Sequence, residues 1–315
     1  MTRSAAAVFI ACVSLGFSSR ERGPKAAPST SELAELWAEP GVDRDLFYGV
    51  GGATLAPDPR ELFKVAEIKA TGYSEGYAVI DGTKREWSAK FPPEAHSEVV
   101  ASRLLWGIGY HQPPIYYLEG WRALGADGPN PQRGARFREK KPAFHGLDGE
   151  ANWSYYENPF SDTVQMHALL TFHAMLGNSD LKDAQNVLYT LTEPVEGASK
   201  WYVARDLGQT FARTGGINPP RADIDAFEKS PFILKTSGDH VLFDYRGRHK
   251  ELFENIRISD VVWLCDRLSK LSDLQLHDAF RAGGFDAPTS TRFITKLKAK
   301  VAEGLALASL EKKTS

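Results

Sequence analysis

The residues with the most chemistry per position lie in the run Gly177-Asn178-Ser179-Asp180-Leu181-Lys182-Asp183-Ala184-Gln185-Asn186, and a second acidic turn, Asp206-Leu207-Gly208, follows about twenty residues later. An Asp presented by such a turn can orient a hydroxyl and take its proton. A Lys two residues on can offset the charge of a moving phosphoryl group, and an amide side chain with a second carboxylate can hold a divalent cation over phosphates. The chemistry that unites these residue types is phosphoryl transfer, with Asp180 and Lys182 as the catalytic candidates.

These turns need elements to hold them. Val164 to Leu176 is an apolar run of helical period within a helix expected over 162–176, with Met166, Leu169, Leu170, Phe172 and Met175 as its core residues, and a strand, Trp201 to Ala204, delivers Asp206. Upstream, Leu62 to Lys69, Tyr77 to Ile80 and Arg85 to Phe91 read as three strands of a meander, joined by Thr71-Gly72-Tyr73-Ser74-Glu75-Gly76 and by Asp81-Gly82. A helix is expected from Glu94 to Ile108 with Glu94 and Glu98 one turn apart, then a strand over 113–121. Arg133, Arg136 and Arg138 accompany a strand-like Ala135-Arg136-Phe137-Arg138 and read as a solvated face, with an acidic ligand as the alternative. A short strand is expected over 241–245. Helices are expected over 259–268 and 272–282, with Ser259 and Ser272 as N-caps, and over 290–310.

The order and spacing of Asp180-Leu181-Lys182 and Asp206-Leu207-Gly208 resemble the catalytic and metal loops of the protein-kinase-like superfamily, D-x-K-x-x-N followed by D-[FL]-G. Asn178-Ser179 stands where ordinary kinases have His-Arg, so the resemblance is to the atypical branch that includes HipA-type, phosphatidylinositol and secretory-pathway kinases. It implies an α+β, two-lobed kinase-like fold, with a β-rich N-lobe over 60–140 and a helical C-lobe over 141–315. It implies ATP with Mg2+ or Mn2+, bound by Asp206 and an amide. Gln185 holds the usual amide position and Asn186 the next one, so either can be the ligand. Trp87-Ser88-Ala89-Lys90 resembles the strand whose Lys holds the nucleotide phosphates, Glu98 is expected to pair with Lys90, and Gly72 and Gly76 bracket the turn that would cover them. The acceptor is an unidentified hydroxyl on a protein or small molecule, and the oligomeric state is left open. The alternatives are a nucleotide-binding pseudokinase scaffold and a non-catalytic exported structural protein.

Composition narrows the rest. The 315 residues are 42% hydrophobic with a formal net charge of −2, enough for a large core and without the basic field that nucleic acid requires. Residues 1–19, with Arg3 before an apolar run from Ala5 to Phe17, read as a signal peptide too short to span a bilayer. The expectation is export to a periplasm or the exterior, or a cytoplasmic protein if the start lies further on. Residues 20–59 read as linker and N-terminal extension, with a short Ser-capped helix at Ser31 to Trp37. Gly49-Val50-Gly51-Gly52 lacks the strand-to-helix context of a phosphate loop and reads as a surface loop. His167 and His173, six apart, do not share a helix face, and no zinc motif is present.

Overall fold

The computed structural model describes residues 27–69, 73–125, 130–215 and 220–310. The expected signal segment and Gly72 lie outside them. Within them the chain is a mixture of α and β elements.

Five strands close into a barrel. β1 (Leu62–Lys69), β2 (Gly76–Ile80), β3 (Glu86–Lys90), β5 (Gln132–Glu139) and β4 (Ile115–Leu124) pair antiparallel in that order, and β4 returns to β1 in parallel through Leu62↔Arg122 and Lys64↔Leu124. A bulge between Val65 and Glu67 adds the local twist that closure needs. Phe63, Trp87, Trp121 and Phe137 fill the interior, each less than 2% exposed, with the Phe63 and Phe137 rings 5.1 Å apart. Alternation along each strand dictates which side chains face inward; it carries no information on the β1–β4 pairing that turns a meander into a barrel.

Helix α2 (Glu94–Gly107) follows the thin helix α1 (Thr30–Leu33) in chain order and is buried on nearly every side. Its Val99 joins Ile115 of the barrel, while Val100, Ala101, Leu104 and Leu105 enter the main hydrophobic core. Packing against both the barrel and the helical core covers it all round.

That main core is helical. α3 (Val164–Leu176), capped by the Thr163 hydroxyl, packs on α5 (Ile258–Ser269). α7 (Ala287–Ala306) lies against α4 (Ile224–Glu228), α5 and α6 (Asp273–Ala282), and α6 in turn meets α2. Phe211, Phe227, Phe280 and Phe293 meet there with centroids 5.3–5.7 Å apart. A three-stranded sheet, β6 (Asp148–Ala151), β7 (Asn186–Val195) and β8 (Ala198–Ala204), carries the two acidic turns at one end of its β7–β8 hairpin, and β9 (Ile233–Ser237) pairs with β10 (His240–Phe243).

Several boundaries differ from the sequence reading. Ser29 caps α1 through a capping box with Glu32, and the helix ends before Trp37, which bridges to Tyr110 instead. The cap of α5 falls at Arg257 and not Ser259, and α7 starts at Ala287 because the Asp286 carboxylate accepts from Thr289 N. Ser272 does cap α6. Leu36, Leu46 and Val50, within the stretch expected to be linker and extension, are at most 3% exposed and pack on the cores.

The β2–β3 turn depends on one carboxylate. Buried Asp81 accepts from Trp87 Nε1 (2.9 Å), Thr83 N (2.9 Å), Thr83 Oγ1 (2.7 Å) and Arg85 N (2.9 Å). Burial pushes its pKa upward, and these donors, Trp87 and Thr83 foremost, overcome that and hold it below the ordinary value. Asp81→Ala is expected to cost about 2–3 kcal/mol in urea denaturation at pH 7. Because the folded pKa is depressed, the contribution is complete above pH ~4 and is lost as pH falls below that, so the difference between wild type and variant should narrow there. An equal difference at all pH values would show that the carboxylate charge is not the source.

Candidate active site

Lys90 ends β3, beside Gly76 on one neighbouring strand and Arg136 on the other. Two like charges side by side would repel. They tolerate one another because α2 inserts Glu98 between them: its Oε2 lies 3.2 Å from Arg136 Nη2 and 3.6 Å from Lys90 Nζ, and its Oε1 lies 2.9 Å from Arg138 Nη1. Burial would raise the Glu98 pKa, but Arg136, Lys90 and Arg138 outweigh it and bring it down to about 2. Arg136 and Arg138 therefore do not form a solvated strand face; of the three arginines only Arg133 is outward, paired with exposed Glu75.

Lys90 makes its shorter contact with Glu94 Oε2, at 2.8 Å. The expected partner, Glu98, is the more distant one. Lys90 and Glu94 flank the tight Phe91-Pro92-Pro93 turn, which leaves the first-turn carboxylate nearest the ammonium, whereas Glu98 is drawn towards two guanidinium groups. Glu94 also receives Arg221 Nε at 2.8 Å, and the Arg221 guanidinium lies 3.2 Å over the ring of Tyr73 in the β1–β2 turn. Burial disfavours the Lys90 charge, yet the Glu98, Asp206 and Glu94 carboxylates together hold its pKa above the usual value. Asp206, over a hundred residues away in sequence, is thus within electrostatic reach of Lys90.

Asp206 follows β8 directly, and Gly208 must be glycine: a Cβ there would lie 2.9 Å from Cβ of Glu94. This close approach brings the acidic turn against α2, where Ser97 Oγ donates to Gly208 O at 2.7 Å. The other turn begins at Gly177, the left-handed C-cap of α3 (φ 73°), where a Cβ would meet Ala212 O at 2.4 Å. Asn178, 1% exposed, then joins the two turns: its Oδ1 accepts from Asp180 N and its Nδ2 donates to Asp206 O, both at 3.2 Å. His173 backs it, accepting from Asn178 Nδ2 on Nδ1 (3.1 Å) and meeting Tyr155 Oη with Nε2 (3.1 Å); burial holds the imidazole pKa down at about 3, so it is neutral. His167, on another face as expected, pairs with Asp260 at 2.7 Å.

Asp180 is held by Lys182 Nζ at 2.5 Å and Arg248 Nε at 3.1 Å, and Arg248 N donates to Ser179 O. Among the described residues no group of three or more His, Cys, Asp or Glu side chains converges on a metal position. The donors near the two turns are oxygens: the Asp206 carboxylate and Gln185 Oε1, which is buried and has no hydrogen-bond partner. Asn186 Nδ2 donates to Trp153 O at 3.3 Å, and the side chain is bonded to the Tyr155 hydroxyl. A carboxylate with an unsatisfied amide oxygen suits a hard cation that takes its other ligands from water and phosphate.

No family model matches the chain, and no curated protein matches it. Among solved structures it is similar to the Helicobacter pylori proinflammatory kinase CtkA. The match has 10% identity and a TM-score of 0.45 over 80% of this chain and 100% of that one.

Four residues that the motifs did not assign a role belong to the site: Asn178, Arg221, Arg248 and, as first partner of Lys90, Glu94. Only Asn178 has a local signal, an amide directly after a helix-ending glycine. The two carboxylates of α2 should separate experimentally. Glu98→Gln leaves two arginines without their counter-ion and should cost about 3–5 kcal/mol in urea denaturation at pH 7. Glu94→Gln should cost about 1–2 kcal/mol, because Lys90 keeps Glu98 and Asp206. With its folded pKa depressed, the Glu98 contribution is present above pH ~4.3 and disappears as pH falls towards its folded value. A larger loss for Glu94→Gln would reverse these roles.

Proposed function

We infer that the protein is an ATP- and metal-dependent phosphotransferase acting on a hydroxyl acceptor, and that barrel and helical core serve as the two lobes of a kinase-like fold. The observation that carries this reading is the placement of Lys90 among Glu94, Glu98 and Asp206, with Asp180 tied to the same strand end through Asn178. Around that point Lys90, Arg136, Arg138, Arg205 and Arg221 outnumber Glu94, Glu98 and Asp206, an excess of positive charge suited to a polyphosphate.

In this reading Lys90 binds nucleotide phosphates, oriented by Glu94 and Glu98, and the turn that ends at Gly76 covers them. Asp206 and Gln185 would hold Mg2+ or Mn2+, which supplies charge neutralisation on the phosphates; Asn186 keeps the loop in place through Trp153. Asp180 orients the acceptor hydroxyl and receives its proton as the acceptor oxygen bonds to the γ-phosphorus and the bond to the β–γ bridging oxygen breaks, leaving ADP. Lys182 offsets charge on the transferred group. The acceptor must displace one partner of Asp180. Arg248, 63% exposed against 38% for Lys182, is the one to leave, since so exposed a pair is worth about 0–1 kcal/mol. Export by the N-terminal segment remains part of the proposal.

Calorimetry on the purified chain should show ATP binding only with Mg2+ or Mn2+, abolished by Asp206→Ala with the fold retained. No binding at millimolar nucleotide with either metal would end the reading. Asp180→Asn should lower turnover by about a hundredfold or more with ATP affinity nearly unchanged. Gln185→Ala should weaken metal-dependent binding, and Gln185→Asn should retain it. If the wild type binds ATP without any transfer or hydrolysis that Asp180→Asn diminishes, the chain is a nucleotide-binding scaffold.

A further inference from the structure

A cavity of about 390 Å3 lies between the N-terminal segment, β4 and the end of α6, with Phe47, Tyr48, Tyr116, Tyr117 and Leu118 among its walls and Arg103 beside them. Nine residues, two and a half helical turns, separate Arg103 from Glu94, so the cavity faces away from the candidate active site.

Arg103 is unusual among the buried cations of this region. It is 2% exposed and forms no salt bridge with any described carboxylate; Nη2 donates to Ile115 O at 2.6 Å and Nε to Phe47 O at 3.4 Å, both neutral acceptors. Burial brings its pKa down to about 10, opposed by Tyr116 and Asp45. Arg136 and Arg138, by contrast, both have Glu98. A buried charge with no carboxylate in contact is costly, and a ligand can supply one.

The glycine-rich Gly49-Val50-Gly51-Gly52 is built onto this arginine. A Cβ at Gly49 would lie 2.3 Å from Arg103 Nη1 and one at Gly51 2.8 Å from Tyr116 Oη, which donates to Gly52 O at 3.0 Å. The glycines let backbone roof the guanidinium where any side chain would collide with it. Asp58, also in the cavity wall, is neutralised by Arg60 at 2.8 Å.

We propose that this cavity binds a small apolar carboxylate, with its charged end on Arg103 and its hydrocarbon or ring against the aromatic walls. The volume is that of small-molecule sites, ~300–1,000 Å3. A single guanidinium matches a single negative charge in a charge-assisted pair, and walls this apolar disfavour a doubly charged phosphate.

Titration calorimetry of the full chain with octanoate, and with octan-1-ol as its neutral counterpart, tests the assignment. Octanoate should bind at least about tenfold more tightly than octan-1-ol. Arg103→Met, which keeps the buried stem and removes the charge, should abolish that preference. Ala53→Trp, at an exposed position of the cavity wall, should weaken octanoate with Arg103 intact. Absence of octanoate binding at millimolar concentration, equal affinity for the alcohol, or octanoate affinity unchanged in Ala53→Trp would each overturn the proposal, and the last decides even if Arg103→Met does not fold.

Discussion

Much of this structure depends on a buried charge network in which α2 carries two carboxylates into a ring of cations. Charges removed from water are costly unless each meets an opposite charge at close range, and Glu98 achieves that only because β3 and β5 present Lys90, Arg136 and Arg138 to it from one face of the barrel. The network is thus a geometric constraint as well as a source of energy. It fixes the rotation of α2, the register of β3 against β5 and the position of Lys90. The same helix buries Val100, Leu104 and Leu105 in the helical core, so the network and that core are joined through α2.

A second, smaller network performs the same service for the acidic turns. The carboxylates of Asp180 and Asp206 would repel if nothing but proximity related them, and the backbone groups beside them need partners. Asn178 satisfies Asp180 N and Asp206 O with opposite ends of one amide, and a neutral His173 behind it fixes which end points where. The heavily depressed pKa of that imidazole is a consequence of burial without a carboxylate, so the network stays uncharged through the physiological range. An uncharged tether can hold two anions without contributing a field of its own to the phosphoryl chemistry proposed for them.

The segment after Asp206 connects these networks. Phe211, at φ 58°, accepts a backbone conformation uncommon for a side chain because its ring is buried among Phe227, Phe280 and Phe293 and its N–H reaches Leu176 O at 2.8 Å. Further on, Arg221 comes back to Glu94 and Tyr73. An aromatic anchor at Phe211 and an ion pair at Arg221 thus tie two points after Asp206 to the helical core and to α2. In the proposed reading, the affinity of the Lys90 region for phosphate is therefore set partly by a residue that no catalytic motif contains.

The sequence by itself determined the local structure and the chemistry available. Helical period, strand alternation and turn residues located β1 to within its observed ends, α2 and α3 to within two residues, and the Ser272 cap. The types and spacing of Asp180, Lys182, Gln185, Asn186 and Asp206 marked where a phosphoryl-transfer site was to be sought. Arg136 and Arg138, read together with Arg133 as a solvated face, are instead paired with buried Glu98. Tertiary structure alone decided the parallel closure of β4 on β1, the burial of the stretch expected as linker, the preference of Lys90 for Glu94, the contacts of Arg221 and Arg248, and the burial of Gln185 Oε1 without a partner. The division has a physical cause. Backbone sterics and hydrophobic period act over a few residues and leave their mark in the chain, whereas a buried charge takes whichever counter-charge the packed elements bring within about 3–4 Å, however far away it lies in sequence.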